Sequence, residues 1–352
     1  MGYQTYDHNR NYACRLMEFV YRGYRCLTRE NELLRVMVVA DKGTDIYEFL
    51  YKPRDVEFLW RSPLGLRLPP LYPPSTPRPA GPHLDYYEGG WQEMFPNCGT
   101  ASRHQGAEVG QHGEVLLLPW TYSVTKDSPQ EIEVKFEVRT IRTPFHLVKH
   151  LSLTSGTPAL TIRESVTNVG GQEVDFTWGH HPALGPPFLE EGCTVSVPDC
   201  SIRTIPSFTA PTSRLRPEQL SPWPNAIGPD GSEVDLSVTG GTRLACNDMV
   251  FLEGITDGQF AVTNPRMNLG FAMRYPANIF KYLWYWQVFR GAMDYPFWGA
   301  TYNVALEPCA TLPSLSEAAK KAESLKLSPG QTLTAELSAA VFEGRNPSAR
   351  PG

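Results

Sequence analysis

"EIEVKFEVRTI", residues 131–141, sends Ile132, Val134, Phe136 and Val138 to one side of an extended chain and Glu131, Glu133, Lys135, Glu137 and Arg139 to the other. Successive side chains of a strand point to opposite faces, so this alternation predicts a half-buried antiparallel strand. Working outward, the same period recurs in "LLRVMVVA" (33–40), "LVKHLSL" (147–153), "LTIRESVTNV" (160–169), "FAVTN" (260–264) and "LTAELSAAVF" (333–342). Gly, Asn and Asp turn signals separate these stretches. The sequence therefore predicts an all-β protein built mostly of antiparallel sheet. Only "SLSEAAKKAESL" (314–325) reads as a short helix, with Ser314 as N-cap and Glu317 completing a capping box.

The stretch 62–82, "SPLGLRLPPLYPPSTPRPAGP", holds eight prolines and cannot be a central strand, because each proline removes a ladder donor. Strands of the same pattern flank it, so it reads as a rim loop of one large domain spanning 1–352 rather than a boundary between two. No repeat of 20 to 50 residues points to a propeller or solenoid. The net charge of −5 is spread along the chain without Lys/Arg runs, which excludes the footprint of a nucleic-acid or membrane-surface binder. The N-terminus has no apolar signal core, and the seven cysteines are widely spaced with no Cys-x-x-Cys pair. These features predict a soluble cytoplasmic protein with reduced thiols.

Four segments combine aromatic rings with polar groups: 86–99, 111–120, 176–185 and 282–310. They hold six of the eight tryptophans, among them Trp91, Trp178, Trp284, Trp286 and Trp298, a density that suits a cleft where rings stack on a sugar. A buried tryptophan taken singly is more often core. His112 lies next to Gly113 in "QHGEV", His181 precedes a proline in "GHHPALG", and Glu307 ends an apolar run before Pro308 in "ALEPC". No His-Glu-x-x-His or comparable spacing signals a metal, so acid–base chemistry without metal or cofactor fits these residues better.

These motifs resemble the galactose mutarotase-like superfamily, the aldose 1-epimerases and their relatives, of which the chain looks like a divergent member. "VTNVGGQEVDFTWGHHPALG" is similar to the family's strand that closes on a catalytic histidine and selects His181, with His180 as its substrate-contacting neighbour. "GQHGEVLLLPW" resembles the earlier His-Gly motif and selects His112, while "NVALEPCATLP" resembles the Leu-Glu-Pro motif that carries the general base and selects Glu307. "NDMVFLEG" is similar to a segment that binds sugar hydroxyls and points to Asp248; Glu93 and Trp286, in the aromatic segments, are further expected sugar contacts. The family's Asn-Arg-Ile segment is absent, and Arg103 is the candidate stand-in. The resemblance runs from "VVADKGTDIYEF" to the last strand and implies a large antiparallel β-supersandwich.

It also implies a reaction. Glu307 would take the proton of the C1 hydroxyl, His181 would protonate the ring oxygen, and His112 would hold charge developing there, so that a free or modified sugar interconverts its α and β anomers. The expected partner is a small-molecule sugar, with no nucleic acid or membrane, and a monomer or homodimer. Two alternatives stand beside this reading: a carbohydrate lyase or hydrolase on the same fold, and a sugar-binding protein without turnover.

Overall fold

The alternation at 131–141 becomes the strand Glu131–Arg139, paired on one side with Thr121–Asp127 and on the other with Phe145–Thr154. Ile132, Val134 and Phe136 are fully buried along its inner face. The other alternating stretches appear as Leu34–Val39, Ala159–Asn168, Gln259–Asn264 and Thr332–Glu343. The structure, a computed structural model, describes residues 10–71 and 82–344. Within the proline-rich stretch, residues 62–71 form no strand, and 72–81 lie outside the described residues.

Two large antiparallel sheets, of twelve and eight strands, meet across one apolar core. Phe49 of the larger sheet packs edge-on against Phe271 of the smaller, with ring centroids 5.4 Å apart. The chain thus has the all-β architecture its periodicity predicts. Among the described residues the one α-helix is Leu315–Lys320, and no helix is long and apolar enough to cross a membrane.

The expected capping box is absent. Ser314 occupies the N-cap position, yet its side chain makes no capping bond. The first helical N–H groups are satisfied from elsewhere: Leu315 N–H donates to Asn97 Oδ1 at 2.9 Å and Ser316 N–H to Ser102 Oγ at 2.8 Å. A helix laid against a loop takes its cap from that loop, which local sequence cannot show.

In the middle of the larger sheet the strands run Trp91–Met94, Gly179–Leu184, Tyr302–Cys309, Tyr282–Phe289 and Cys246–Glu253. These five neighbours carry Glu93, His180, His181, Asp248, Trp286 and Glu307. One of their faces lies against the apolar core, and the other floors a cavity.

Candidate active site

Strand register brings the distant motifs together. Gly179 pairs with Cys309 and Ala183 with Ala305, which sets His181 across from Glu307. Trp284 pairs with Glu307, and Met249 with Trp286, on the same face of the sheet. His181, Glu307, Trp284, Trp286, Asn247 and Met249 therefore line one cavity of about 570 Å³. His181 Nε2 lies 3.3 Å from Glu307 Oε1, and its Nδ1 lies 3.3 Å from the Tyr87 hydroxyl. Glu307 Oε2 is buried without a hydrogen-bond partner.

His112 reaches the same cavity from a tight turn. Its backbone is left-handed (φ 60°), and its Nδ1 accepts the Gly99 N–H at 3.2 Å. A backbone amide only donates, so Nδ1 carries the lone pair, and Nε2 holds the hydrogen in the neutral ring. The His112 ring stands edge-on to His181 at 5.4 Å. A third imidazole, His83, packs at 4.9 Å from both His112 and Tyr87, with its Nδ1 buried and unpartnered.

Desolvation governs the electrostatics. Burial lowers the His181 pKa to about 4. His112 is pushed well below the ordinary imidazole range by burial and then by His181; His83 is pushed down by burial and then by His112. Burial lifts the Glu307 carboxyl well above its usual range. Burial thus favours the protonated form of the carboxyl and the neutral form of the imidazoles beside it, an arrangement of the kind found where protons are transferred.

Several expected contacts lie elsewhere, and strand parity explains three of them. His180, next to His181, points to the opposite face: its Nε2 meets Glu164 at 3.0 Å, and its Nδ1 accepts the Trp91 indole N–H at 3.2 Å. Glu93, paired with His180 in the sheet, faces the same interior, where it accepts the Trp178 indole N–H and pairs with Lys149 at 2.6 Å. Asp248 is likewise turned inward, accepting hydrogen bonds from Ser213 and from the Arg214 backbone and guanidinium. Its neighbours Asn247 and Met249 line the cavity in its stead. Arg103 stands out in solvent on the hairpin Ser102–Val109, 4.0 Å from Glu108, and does not line the cavity.

Among the expected contacts Trp286 does line the cavity, its indole N–H donating to Asn247 Oδ1 at 2.9 Å. His83, Tyr87, Asn247 and Trp284 are lining residues that the motifs did not single out as contacts. Parity counted outward from His181 and Glu307 would have selected Asn247 and Trp284. His83 sits in a single 3-10 turn, His83–Asp85, directly after the proline-rich loop, where no periodic signal exists. Among the described residues no group of three or more His, Cys, Asp or Glu side chains is arranged to hold a metal ion.

A family model described as a domain of unknown function (DUF4432) matches residues 21–341. No curated protein matches the chain in sequence. Among solved structures, a candidate aldose 1-epimerase from Klebsiella pneumoniae superposes with a TM-score of 0.71 at 14% identity, over 94% of this chain and 88% of that one. A galactose mutarotase-like protein from Clostridium acetobutylicum gives 0.64 at 14% identity, over 94% and 99%. A galactose mutarotase related enzyme from Lactobacillus acidophilus gives 0.60 at 18% identity, over 94% and 100%. The fold of this chain is galactose mutarotase-like.

Proposed function

The chain belongs to the DUF4432 family, and we propose that it is an acid–base enzyme of the aldose 1-epimerase kind, opening the ring of a reducing sugar and letting it reclose as the other anomer. The observation that carries this reading is the 3.3 Å approach of His181 to Glu307 at the floor of the cavity, with the second carboxyl oxygen left unpartnered. Ring opening needs one group to take the C1 hydroxyl proton and another to protonate the ring oxygen, both within hydrogen-bond reach of one carbon. The pair meets that requirement.

Burial sets the sense of the first proton transfer. With Glu307 raised and His181 lowered, a proton held by the pair is favoured on the carboxyl over the imidazole. Glu307 then donates to the ring oxygen and His181 Nε2 accepts from the C1 hydroxyl, the reverse of the roles the family resemblance implied. Rotation about C1–C2 in the open aldehyde is followed by closure, in which the carboxylate accepts a proton and the imidazolium donates one. Tyr87 opposite Nδ1 holds the ring of His181 in place, and the His112 Nε2–H is the donor for charge on oxygen. Each positioned acid or base contributes about 100- to 10,000-fold.

In this reading the partner is a small-molecule sugar and no cofactor is required; a single domain across the chain and a cytoplasmic location belong to the same proposal. The test is anomer exchange by saturation-transfer NMR over a panel of reducing sugars. Exchange faster than in buffer for at least one sugar is expected; buffer rates across the whole panel would overturn the reading.

A further inference from the structure

The cavity that holds the proposed acid and base is ill suited to a sugar bristling with hydroxyls. Beyond the histidines, Tyr87 and Glu307, its wall is largely Phe208, Pro211, Met249, Ala292, Met293 and Phe297. Of the polar side chains that also line it, Thr100, Gln111 and Asp294 stand on its exposed or half-exposed margin, whereas several others are engaged by the protein. Trp286 Nε1 donates to Asn247 Oδ1, Trp284 Nε1 to the Thr311 carbonyl at 3.2 Å, and Thr212 Oγ1 to the Gly291 carbonyl at 2.6 Å. The Tyr295 hydroxyl donates to the Leu84 carbonyl and the Asp85 carboxylate.

The Asp and Glu side chains in the lining are Glu307 and, on the exposed rim, Asp294. Among the described residues no Lys or Arg lines the cavity, and the three histidines are held neutral by burial. Asp248 is turned away and satisfied by Arg214. An anionic group brought into this space would lose its water with no cation to replace it. Each ordinary hydroxyl left without a partner would be penalised in the same way, though less. The rim extends the apolar character outward, because Met293 and Trp298, on one loop, are 51% and 69% exposed. A space of about 570 Å³ exceeds what one pyranose ring fills and matches pockets that bury larger ligands.

Resting on the ring-opening reading, we infer that the substrate is an uncharged reducing sugar whose hydroxyls away from C1 are in part removed or capped by apolar groups, a deoxy or O-alkyl sugar. The methyl or alkyl group packs on Met249, Phe208 and Met293, and the anomeric centre meets Glu307 and His181.

Anomer exchange is measured by saturation-transfer NMR for glucose and galactose, their 6-deoxy and 6-O-alkyl derivatives, and their 6-phosphates. The best deoxy or O-alkyl sugar is expected to exceed its parent at least tenfold in kcat/KM, with the phosphates slowest. A parent hexose or a phosphate equal to or better than the apolar derivatives would overturn the inference while leaving ring opening intact. Buffer rates for every sugar would overturn ring opening and the inference together. Met249→Gln, which adds hydrogen-bonding groups to the wall, is expected to move the derivative-to-parent ratio at least threefold toward the parent. An unchanged ratio in that variant would show that the wall does not meet the substrate, and would overturn the inference.

Discussion

At the residue scale, His180 and His181 are chain neighbours that share no surface, since an extended backbone turns one imidazole into the core and the other into the cavity. Their substitutions should separate cleanly. His181→Asn is expected to lower anomer exchange at least ~100-fold with little change in urea stability. His180→Asn leaves Glu164 and the Trp91 N–H without their shared partner and should cost about 2 kcal/mol, measured by urea unfolding, while the folded variant retains turnover. The double imidazole was legible as a motif, but its division of roles required counting parity from Glu307. Glu307→Gln adds a pH test. Because the folded-state pKa of Glu307 is raised, its stabilising contribution is present at low pH and is lost as pH rises through that raised value. Glutamine cannot ionise, so the variant should lose at least ~100-fold in exchange yet become more stable than wild type as the pH rises, by about 1.4 kcal/mol for every tenfold by which folding tightens the hold of Glu307 on its proton. A stability difference that stays flat from pH 4 to 9 would show that Glu307 does not titrate against burial.

At the scale of elements, strands were legible because their period is enforced by the core, whereas turns and caps depend on contacts far away in sequence. Residues 131–139 follow the quoted alternation almost to the end, but the helix Leu315–Lys320 is capped by Asn97 and Ser102 instead of its own Ser314. The turn that delivers His112 is of the same kind. Gly113 sits at φ 87°, and a Cβ there would lie 2.1 Å from the Phe95 carbonyl oxygen, so only glycine fits. The His112 backbone N–H donates to the Gly99 carbonyl at 2.9 Å, and its ring accepts the Gly99 N–H in return. Gly113→Ala must push this turn away from Phe95 and carry His112 with it. Expected are a loss of about 1–3 kcal/mol in urea unfolding and at least a tenfold drop in exchange. A fully active Gly113→Ala variant would remove His112 from the reacting set.

At the scale of the whole molecule, the two sheets enclose charges as well as apolar side chains. Lys149 lies on the core face of Phe145–Thr154, in step with Leu147 and Leu151, and Glu164 on the core face of Ala159–Asn168, in step with Ile162 and Val166. A charged residue at an apolar position of an alternating strand was visible in the sequence, and Lys149 and Glu164 pair across neighbouring strands of the smaller sheet; hidden were Glu93 and His180, which come from the opposite sheet. Lys149 Nζ lies 2.6 Å from Glu93 and 3.5 Å from Glu164, and Glu164 in turn holds His180. Burial alone would raise the Glu164 carboxyl, but His180 and Lys149 hold it below its ordinary range. The knot therefore ties the smaller sheet to the back of the strands that carry His181. Removing only the cation leaves two carboxylates buried together, which costs about 3–5 kcal/mol, whereas removing charge from both sides costs less. Lys149→Met should accordingly be strongly destabilised, and Lys149→Met combined with Glu93→Gln should recover at least ~1 kcal/mol of that loss, a coupling read from a double-mutant cycle in urea. Additive losses in the cycle would mean that Lys149 and Glu93 do not couple across the two sheets.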